Sequence, residues 1–167
     1  LTDAGHGAIV VDQRGCGRSD RDFADMSITA IAGDVAAIVD QCGTGRVVLN
    51  GWSLGGAVAV AAAGQLGDTV AGLILTCGAT PRYTQADGFP HGGKAEDVLG
   101  IAGAITADRA GFFRILAQGA AAEGASAALF DWFERGFLAS GPRASKTLMD
   151  LATLDQRDLL SSFAFPV

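Results

Sequence analysis

Several residue classes that would mark a specialised protein are scarce in this 167-residue sequence. Charged residues make up 18% of it and hydrophobic residues 49%, a balance that excludes an intrinsically disordered chain. The formal net charge of −6 argues against a nucleic-acid-binding domain. No apolar run approaches the roughly 18 residues that a membrane-spanning helix needs. The composition therefore predicts one globular domain that binds neither nucleic acid nor a membrane.

Cysteine and histidine are also rare. The three cysteines, Cys16, Cys42 and Cys77, are widely spaced and form no C-x-x-C pair. They therefore predict reduced thiols and a cytoplasmic protein, not a disulfide or zinc framework. His6 and His91 are too few for a histidine-based metal site. We expect neither a metal nor a cofactor.

The first half of the sequence alternates short apolar runs with helical periodicity. The runs predict strands over residues 8–11, 47–49 and 70–76, and the periodic stretches predict helices over 27–42 and 57–63. Strands that alternate with helices along a chain usually pair in parallel, through crossover connections. The pattern therefore predicts an α/β fold with a parallel sheet and helices on both of its faces.

The second predicted strand runs into Gly51-Trp52-Ser53-Leu54-Gly55-Gly56, which fits the G-x-S-x-G pattern of a nucleophile elbow. Such a turn lifts the serine hydroxyl clear of the backbone, so that a base and a substrate carbonyl can both reach it. It strains the serine backbone and brings strand and helix close together, which explains glycines at positions 51, 55 and 56. We expect Ser53 to be the nucleophile and the Leu54 N–H to be an oxyanion donor.

The second half has a different character, since no further core strand is indicated before Val167. Four short helical patterns replace the strands, over residues 98–105, 112–116, 129–137 and 148–154. Their apolar faces are rich in phenylalanine and suit a helical insertion that roofs a site with aromatic surface. We therefore predict a helical cap that suits an acyl or alkyl group.

These motifs together resemble the α/β-hydrolase superfamily. The sequence Val11-Asp12-Gln13-Arg14-Gly15-Cys16-Gly17-Arg18-Ser19 is similar to the D-x-R-G-x-G-x-S loop after the fourth strand of that fold, and Gly51–Gly56 to the elbow after its fifth. The resemblance implies a partial hydrolase core over residues 1–78 with strands four to six. It implies a cap over 79–165 and the start of the next core strand at 166–167.

A narrower resemblance is to the family of pimeloyl-[acyl-carrier protein] methyl ester esterases of biotin synthesis. The stretches Thr80–Tyr83 and Asp87–Gly92 resemble the start of its cap, with Phe89 where that family usually has tryptophan. Phe113 matches the aromatic residue of its F-x-x-x-Q cap motif, with Ala117 at the glutamine position. The resemblance implies that Trp52 and Phe113 line the acyl side of the site, and that the substrate is a small-molecule or carrier-protein-linked ester.

The resemblance also implies residues that this sequence lacks. In the superfamily the catalytic acid and histidine follow later strands, so we expect both beyond Val167, and the second oxyanion donor before Leu1. Neither His6 nor His91 is expected to be the base, because one precedes the first predicted strand and the other lies in the cap. We expect an internal fragment of a serine carboxylesterase that is inactive by itself. Its oligomeric state is not indicated.

Two other interpretations remain open from the sequence. The same serine site would serve C–C bond hydrolysis or a cofactor-free haloperoxidase-like reaction. Alternatively the chain is complete and is a non-catalytic binding remnant, an interpretation favoured by the missing acid and base. The G-x-S-x-G pattern does not separate these possibilities.

Overall fold

The computed structural model describes residues 1–167 and contains seven α-helices and two β-strands. In chain order these are α1 (Ile28–Cys42), β1 (Val47–Trp52), α2 (Leu54–Leu66), β2 (Val70–Thr76), α3 (Ala95–Ala107), α4 (Arg109–Ala120), α5 (Ala127–Leu138), α6 (Ser145–Asp150) and α7 (Arg157–Ser161). None of these helices is both long enough and apolar enough to cross a membrane.

The strand predicted over residues 8–11 is wrong. These residues are not part of the sheet, which has two strands, and Val10 is 93% exposed. An apolar run becomes a buried strand only where a neighbouring strand completes its backbone hydrogen bonds. Neither β1 nor β2 pairs with residues 8–11, so this run forms no ladder.

The predicted helix over residues 27–42 is confirmed as α1. The hydroxyl of Ser27 accepts a hydrogen bond from the Ala30 N–H and so caps the first turn. At the other end Gly43 adopts a left-handed conformation with φ of 57°, a common helix stop. The apolar face of α1 buries Ile28 and Ile31, each 1% exposed, against α2.

The two predicted strands around the elbow are confirmed, and they pair in parallel. In their register Gly51 lies opposite Leu75 and Trp52 opposite Thr76. Because parallel strands end at the same edge of a sheet, the residues that follow β1 and β2 lie side by side. On the other side of β2, the Leu73 N–H donates to the Pro166 carbonyl at 3.0 Å.

Helix α2 is apolar over most of its circumference, and Gly56–Val60, Ala62 and Ala63 are buried. Ala57 and Val58 pack in one hydrophobic cluster with α1 and α3. Val60 and Ala63 pack in a second cluster with β1 and β2. The helix that follows Ser53 is therefore the centre of the fold, and it ends at Gly67, which has a φ of 54°.

The helical half packs over one side of this centre. Three predicted helical patterns are confirmed as α3, α4 and α5, while the fourth is confirmed only in part, because α6 ends at Asp150. Helix α7 turns back to the core, where Leu159 contacts Gly64 of α2. We define the helical segment as residues 80–155, the stretch between Ala79 and Gln156.

Candidate active site

Ser53 occupies the turn between β1 and α2 with an unusual backbone conformation. Its φ of 52° and ψ of −122° lie outside the ordinary helix and strand regions. Two hydrogen bonds to the neighbouring strand end hold this conformation. The Ser53 N–H donates to the Thr76 carbonyl at 3.1 Å, and the Ala79 N–H donates to the Ser53 carbonyl at 2.8 Å. The serine is therefore strained in the way that the elbow pattern predicts.

The side chain of Ser53 is presented for chemistry. Serine at a helix N-cap usually accepts a hydrogen bond from the first turn, but the Ser53 hydroxyl makes no such bond. The residue is exposed, so its Oγ is accessible at the sheet edge. Leu54 is the first residue of α2, so its N–H has no partner within the helix and lies where the helix dipole is positive. This N–H is available to a developing oxyanion.

Gly51 and Gly56 are sterically required at the elbow, whereas the side-chain position of Gly55 is open, which corrects the expectation for Gly55. A Cβ at Gly51 would lie 2.2 Å from the Gly55 carbonyl oxygen, and one at Gly56 would lie 2.6 Å from the Gly78 Cα. Both positions therefore require glycine. A Cβ at Gly55 would meet only the Gln13 Nε2, at 4.0 Å. The backbone of Gly55 is crowded by position 51, but the space for a side chain at Gly55 itself is open.

The D-x-R-G-x-G-x-S loop, residues 12–19, is held in shape by hydrogen bonds of its own side chains. The Asp12 carboxylate accepts from the Arg18 N–H at 3.1 Å, and this hydrogen bond lowers the pKa of Asp12. Ser19 Oγ donates to the Asp12 carbonyl at 2.6 Å. Arg14 makes two hydrogen bonds of 2.6 Å to Asp34 of α1. The loop is thus fixed on α1 by a bidentate ion pair, the strongest geometry for such pairs.

A row of four aromatic rings connects the elbow with the helical segment. Trp52 stacks on Phe133 with ring centroids 5.9 Å apart, Phe133 on Phe137 at 6.1 Å, and Phe137 lies 5.9 Å from Phe113. Trp52 is 46% exposed, whereas Phe113 is 6% exposed. The two predicted acyl-side residues therefore lie at opposite ends of one row and do not touch. Phe133 and Phe137 connect them. Both lie in the helix predicted over residues 129–137, but the sequence gives no sign that they are near the site.

A pocket of about 340 Å³ opens beside the elbow. It begins at Gly78 and Ala79, directly after the strand end that holds Ser53, and continues between Tyr83 and Ile101 of α3. Neither Trp52 nor Phe113 lines it. The elbow thus has two neighbouring surfaces, the aromatic row on one side and this partly apolar pocket on the other.

The two histidines lie elsewhere on the surface. Both His6 and His91 are exposed, and the His91 ring packs edge-on against Phe89 at 5.2 Å. Neither histidine side chain is hydrogen-bonded to Ser53, and the Ser53 hydroxyl does not cap α2 either. Within residues 1–167 the structure brings together the predicted nucleophile and its helix N-terminus, without a base.

Comparison with known proteins decides the family. The model of the Alpha/beta hydrolase family matches residues 1–165. The chain belongs to the α/β-hydrolase family. Strands four to six of the α/β-hydrolase core were expected in residues 1–78, and two strands form there.

Individual relatives of this α/β-hydrolase chain agree with that assignment. It is 35% identical over 102 residues to the AB hydrolase superfamily protein YisY of Bacillus subtilis, over 60% of this chain and 38% of that protein. The esterase EaEST from Exiguobacterium antarcticum superposes with a TM-score of 0.86 at 26% identity, over 92% of this chain and 58% of that one.

A thermophilic esterase from Thermogutta terrifontis superposes with a TM-score of 0.75 at 25% identity, over 92% of this chain and 57% of that one. The α/β-hydrolase chain therefore spans little more than half the length of these two structures, and less than that of the YisY protein.

Proposed function

We propose that the protein is a hydrolase of carboxylic esters that forms an acyl-enzyme at Ser53. The observation that carries this proposal is the backbone of Ser53, held at φ of 52° with the residue exposed at the end of β1. A positive φ costs serine of the order of 1–3 kcal/mol and persists only where the surroundings enforce it. Here the Thr76 carbonyl and the Ala79 N–H enforce it, while the hydroxyl stays unbonded.

The chemistry follows from this placement. Ser53 Oγ attacks the ester carbonyl carbon, its proton passes to a base, and the carbonyl oxygen becomes an oxyanion that the Leu54 N–H stabilises. The tetrahedral intermediate expels the alcohol, which takes up the proton, and water then cleaves the acyl group from Ser53. We expect the base and its orienting acid in sequence beyond Val167, and a second oxyanion donor before Leu1.

The relatives support an ester as substrate. Two of the superposed structures are described as esterases, at 26% and 25% identity. The aromatic row beside Ser53 suits an apolar acyl group, since Trp52 is exposed and Phe133, which stacks on it, is half-buried. A pimeloyl-[acyl-carrier protein] methyl ester is the narrower candidate, which rests on the sequence resemblance of the cap.

Active-site labelling tests the proposal. The protein encoded by the full reading frame is treated with a fluorophosphonate probe, and the modified peptide is identified by mass spectrometry. We expect labelling at Ser53, none in Ser53→Ala, and loss of p-nitrophenyl butyrate turnover by at least 10³-fold in that variant. A folded full-length protein that does not label at Ser53, or that hydrolyses the ester equally well without its hydroxyl, would overturn the proposal.

A further inference from the structure

Gln156 is a buried amide at the point where the helical segment returns to the core. It is 3% exposed, and both ends of its side chain are hydrogen-bonded. The Thr80 hydroxyl donates to Gln156 Oε1 at 2.8 Å, and Gln156 Nε2 donates to the Ala57 carbonyl at 2.9 Å. The Gln156 N–H also donates to the Pro81 carbonyl at 2.8 Å. One residue thus contacts the start of the helical segment, its end and helix α2.

The partner on α2 lies close to the candidate nucleophile. Ala57 is four residues after Ser53, one turn along the same helix. The Ser53 carbonyl already accepts from the Ala79 N–H, which precedes the helical segment directly. Both the approach to the segment and the return from it are therefore tied to the first turn of α2. A buried amide is costly unless all its groups are paired, and here the pairing joins three elements.

We infer that Gln156 is a positioning residue that holds the helical segment in its orientation over Ser53. The inference rests on the proposed function in that Ser53 is the group being covered. Other contacts tie the segment to the residues at the start of α1, where Thr147 Oγ1 donates to the Met26 carbonyl at 2.6 Å and the Asp150 carboxylate accepts from the Ile28 N–H at 2.7 Å. Helix α5 buries none of its residues, and it meets β1 through the stack of Phe133 on Trp52. Gln156 is the junction next to α2, so we expect its loosening to weaken that stack even though the contacts at the start of α1 remain.

The structure offers a matched control for a loss of stability alone. Thr84 is 0% exposed, and its hydroxyl donates to the Ala152 carbonyl at 2.9 Å. Both of these partners lie inside the helical segment, and neither is hydrogen-bonded to α2. Thr84→Val removes a buried threonine hydrogen bond of the same kind as Thr80→Val does, without opening the junction.

Fluorescence quenching measures the orientation directly. Residues 1–167 contain two tryptophans, so in this 167-residue chain Trp132→Phe leaves Trp52 as the sole indole. In that background we compare Gln156→Met, Thr80→Val and Thr84→Val by acrylamide quenching, at a temperature where circular dichroism shows each variant folded. We expect the quenching constant of Trp52 to rise at least twofold in the first two variants and to stay unchanged in Thr84→Val. Unchanged quenching in Thr80→Val, or an equal rise in Thr84→Val, would overturn the inference. If Gln156→Met does not fold, Thr80→Val decides alone.

This readout is independent of the chemistry at Ser53. A full-length protein that fails to react with fluorophosphonate would contradict the proposed function, while the quenching of Trp52 would still test Gln156. Where the protein does react, we expect the initial labelling rate of Ser53 to fall at least threefold in Gln156→Met and not in Thr84→Val. An equal fall in both variants would show that Gln156 acts through stability alone.

Discussion

The indole of Trp52 stacks on the ring of Phe133 with an interplanar angle of 30°, and this pair joins the strand that precedes Ser53 to helix α5. Aromatic pairs of this kind contribute about 1 kcal/mol beyond the burial of their surface. Helix α5 buries none of its residues and packs mainly against α4, and the stack links it directly to the elbow.

We expect Phe133→Ala to lower the free energy of unfolding by about 1–2 kcal/mol and to shift the emission of Trp52 to the red in the Trp132→Phe background. Chemical denaturation and fluorescence spectra measure the two effects. Leu129→Ala is the control on the same helix, because Leu129 is 38% exposed and belongs to none of the ring pairs. An identical emission shift in both variants would contradict a specific role for the stack.

The close approach at Gly51 gives a second prediction. A methyl group there would lie 2.2 Å from the Gly55 carbonyl oxygen, and backbone cannot move aside as a flexible side chain can. We expect Gly51→Ala to destabilise the protein by at least about 3 kcal/mol. Gly103→Ala on α3 is the opposite case, since nothing lies within 4 Å of its Cβ, and it should stabilise the helix by about 0.5–1 kcal/mol. Thermal unfolding of both variants is the measurement, and similar melting temperatures would refute the steric argument.

Strain at Ser53 gives a third prediction. Glycine adopts a positive φ without a steric penalty, whereas alanine retains the Cβ that makes φ of 52° unfavourable. We therefore expect Ser53→Gly to be more stable than Ser53→Ala by about 1 kcal/mol, although both remove the hydroxyl. Urea denaturation of the two variants checks this difference. Equal stabilities would mean that the elbow does not store the strain that its backbone angles indicate.

Asp155 gives a prediction about pH. Its hydrogen bonds to the Arg157 guanidinium, together with nearby Arg82, lower the pKa of this carboxyl to about 2. An unfolded aspartate has a pKa of about 3.9. Because the folded pKa is the lower one, the stabilisation is present above pH ~4 and is lost as the pH falls toward ~2.

We expect Asp155→Asn to lower the melting temperature at pH 7, and the difference from wild type to shrink between pH ~4 and ~2. Melting temperatures across this range are the measurement. Asp131→Asn, at an exposed position on α5, is the matched control and should track wild type throughout. If the difference in melting temperature between wild type and Asp155→Asn persists unchanged at pH 2, the lowered pKa of Asp155 is wrong.

Local patterns predicted the elbow well, because its geometry is determined within a few residues. The apolar run before Gly51, the serine at the turn and the bounds of β2 follow from neighbours along the chain. The strand predicted over 8–11 failed because pairing depends on a partner that a local pattern does not contain. Gln156 could not be found for a similar reason, since its side-chain partners are 76 and 99 residues away.

The role of Phe113 shows the same limit. Its place in a helical stripe is local, but its separation from Trp52 by two further rings depends on how α4 packs against α5. The sequence therefore predicted that aromatic side chains lie near the site. It did not predict the order in which the four rings pack against one another.

The contact of Pro81 with Gln156 has a consequence for how such a protein can change over time. Because these two positions are hydrogen-bonded, the stretch between them leaves the core and returns to it at one point. Insertions, deletions or substitutions in the exposed parts of that stretch, away from the core residues Val98, Leu151 and Ala152, need not alter the path of the chain through β2 and α7. The helical segment is in this sense an exchangeable module, and new substrate preferences can arise in it while the serine turn and its supporting strands stay as they are.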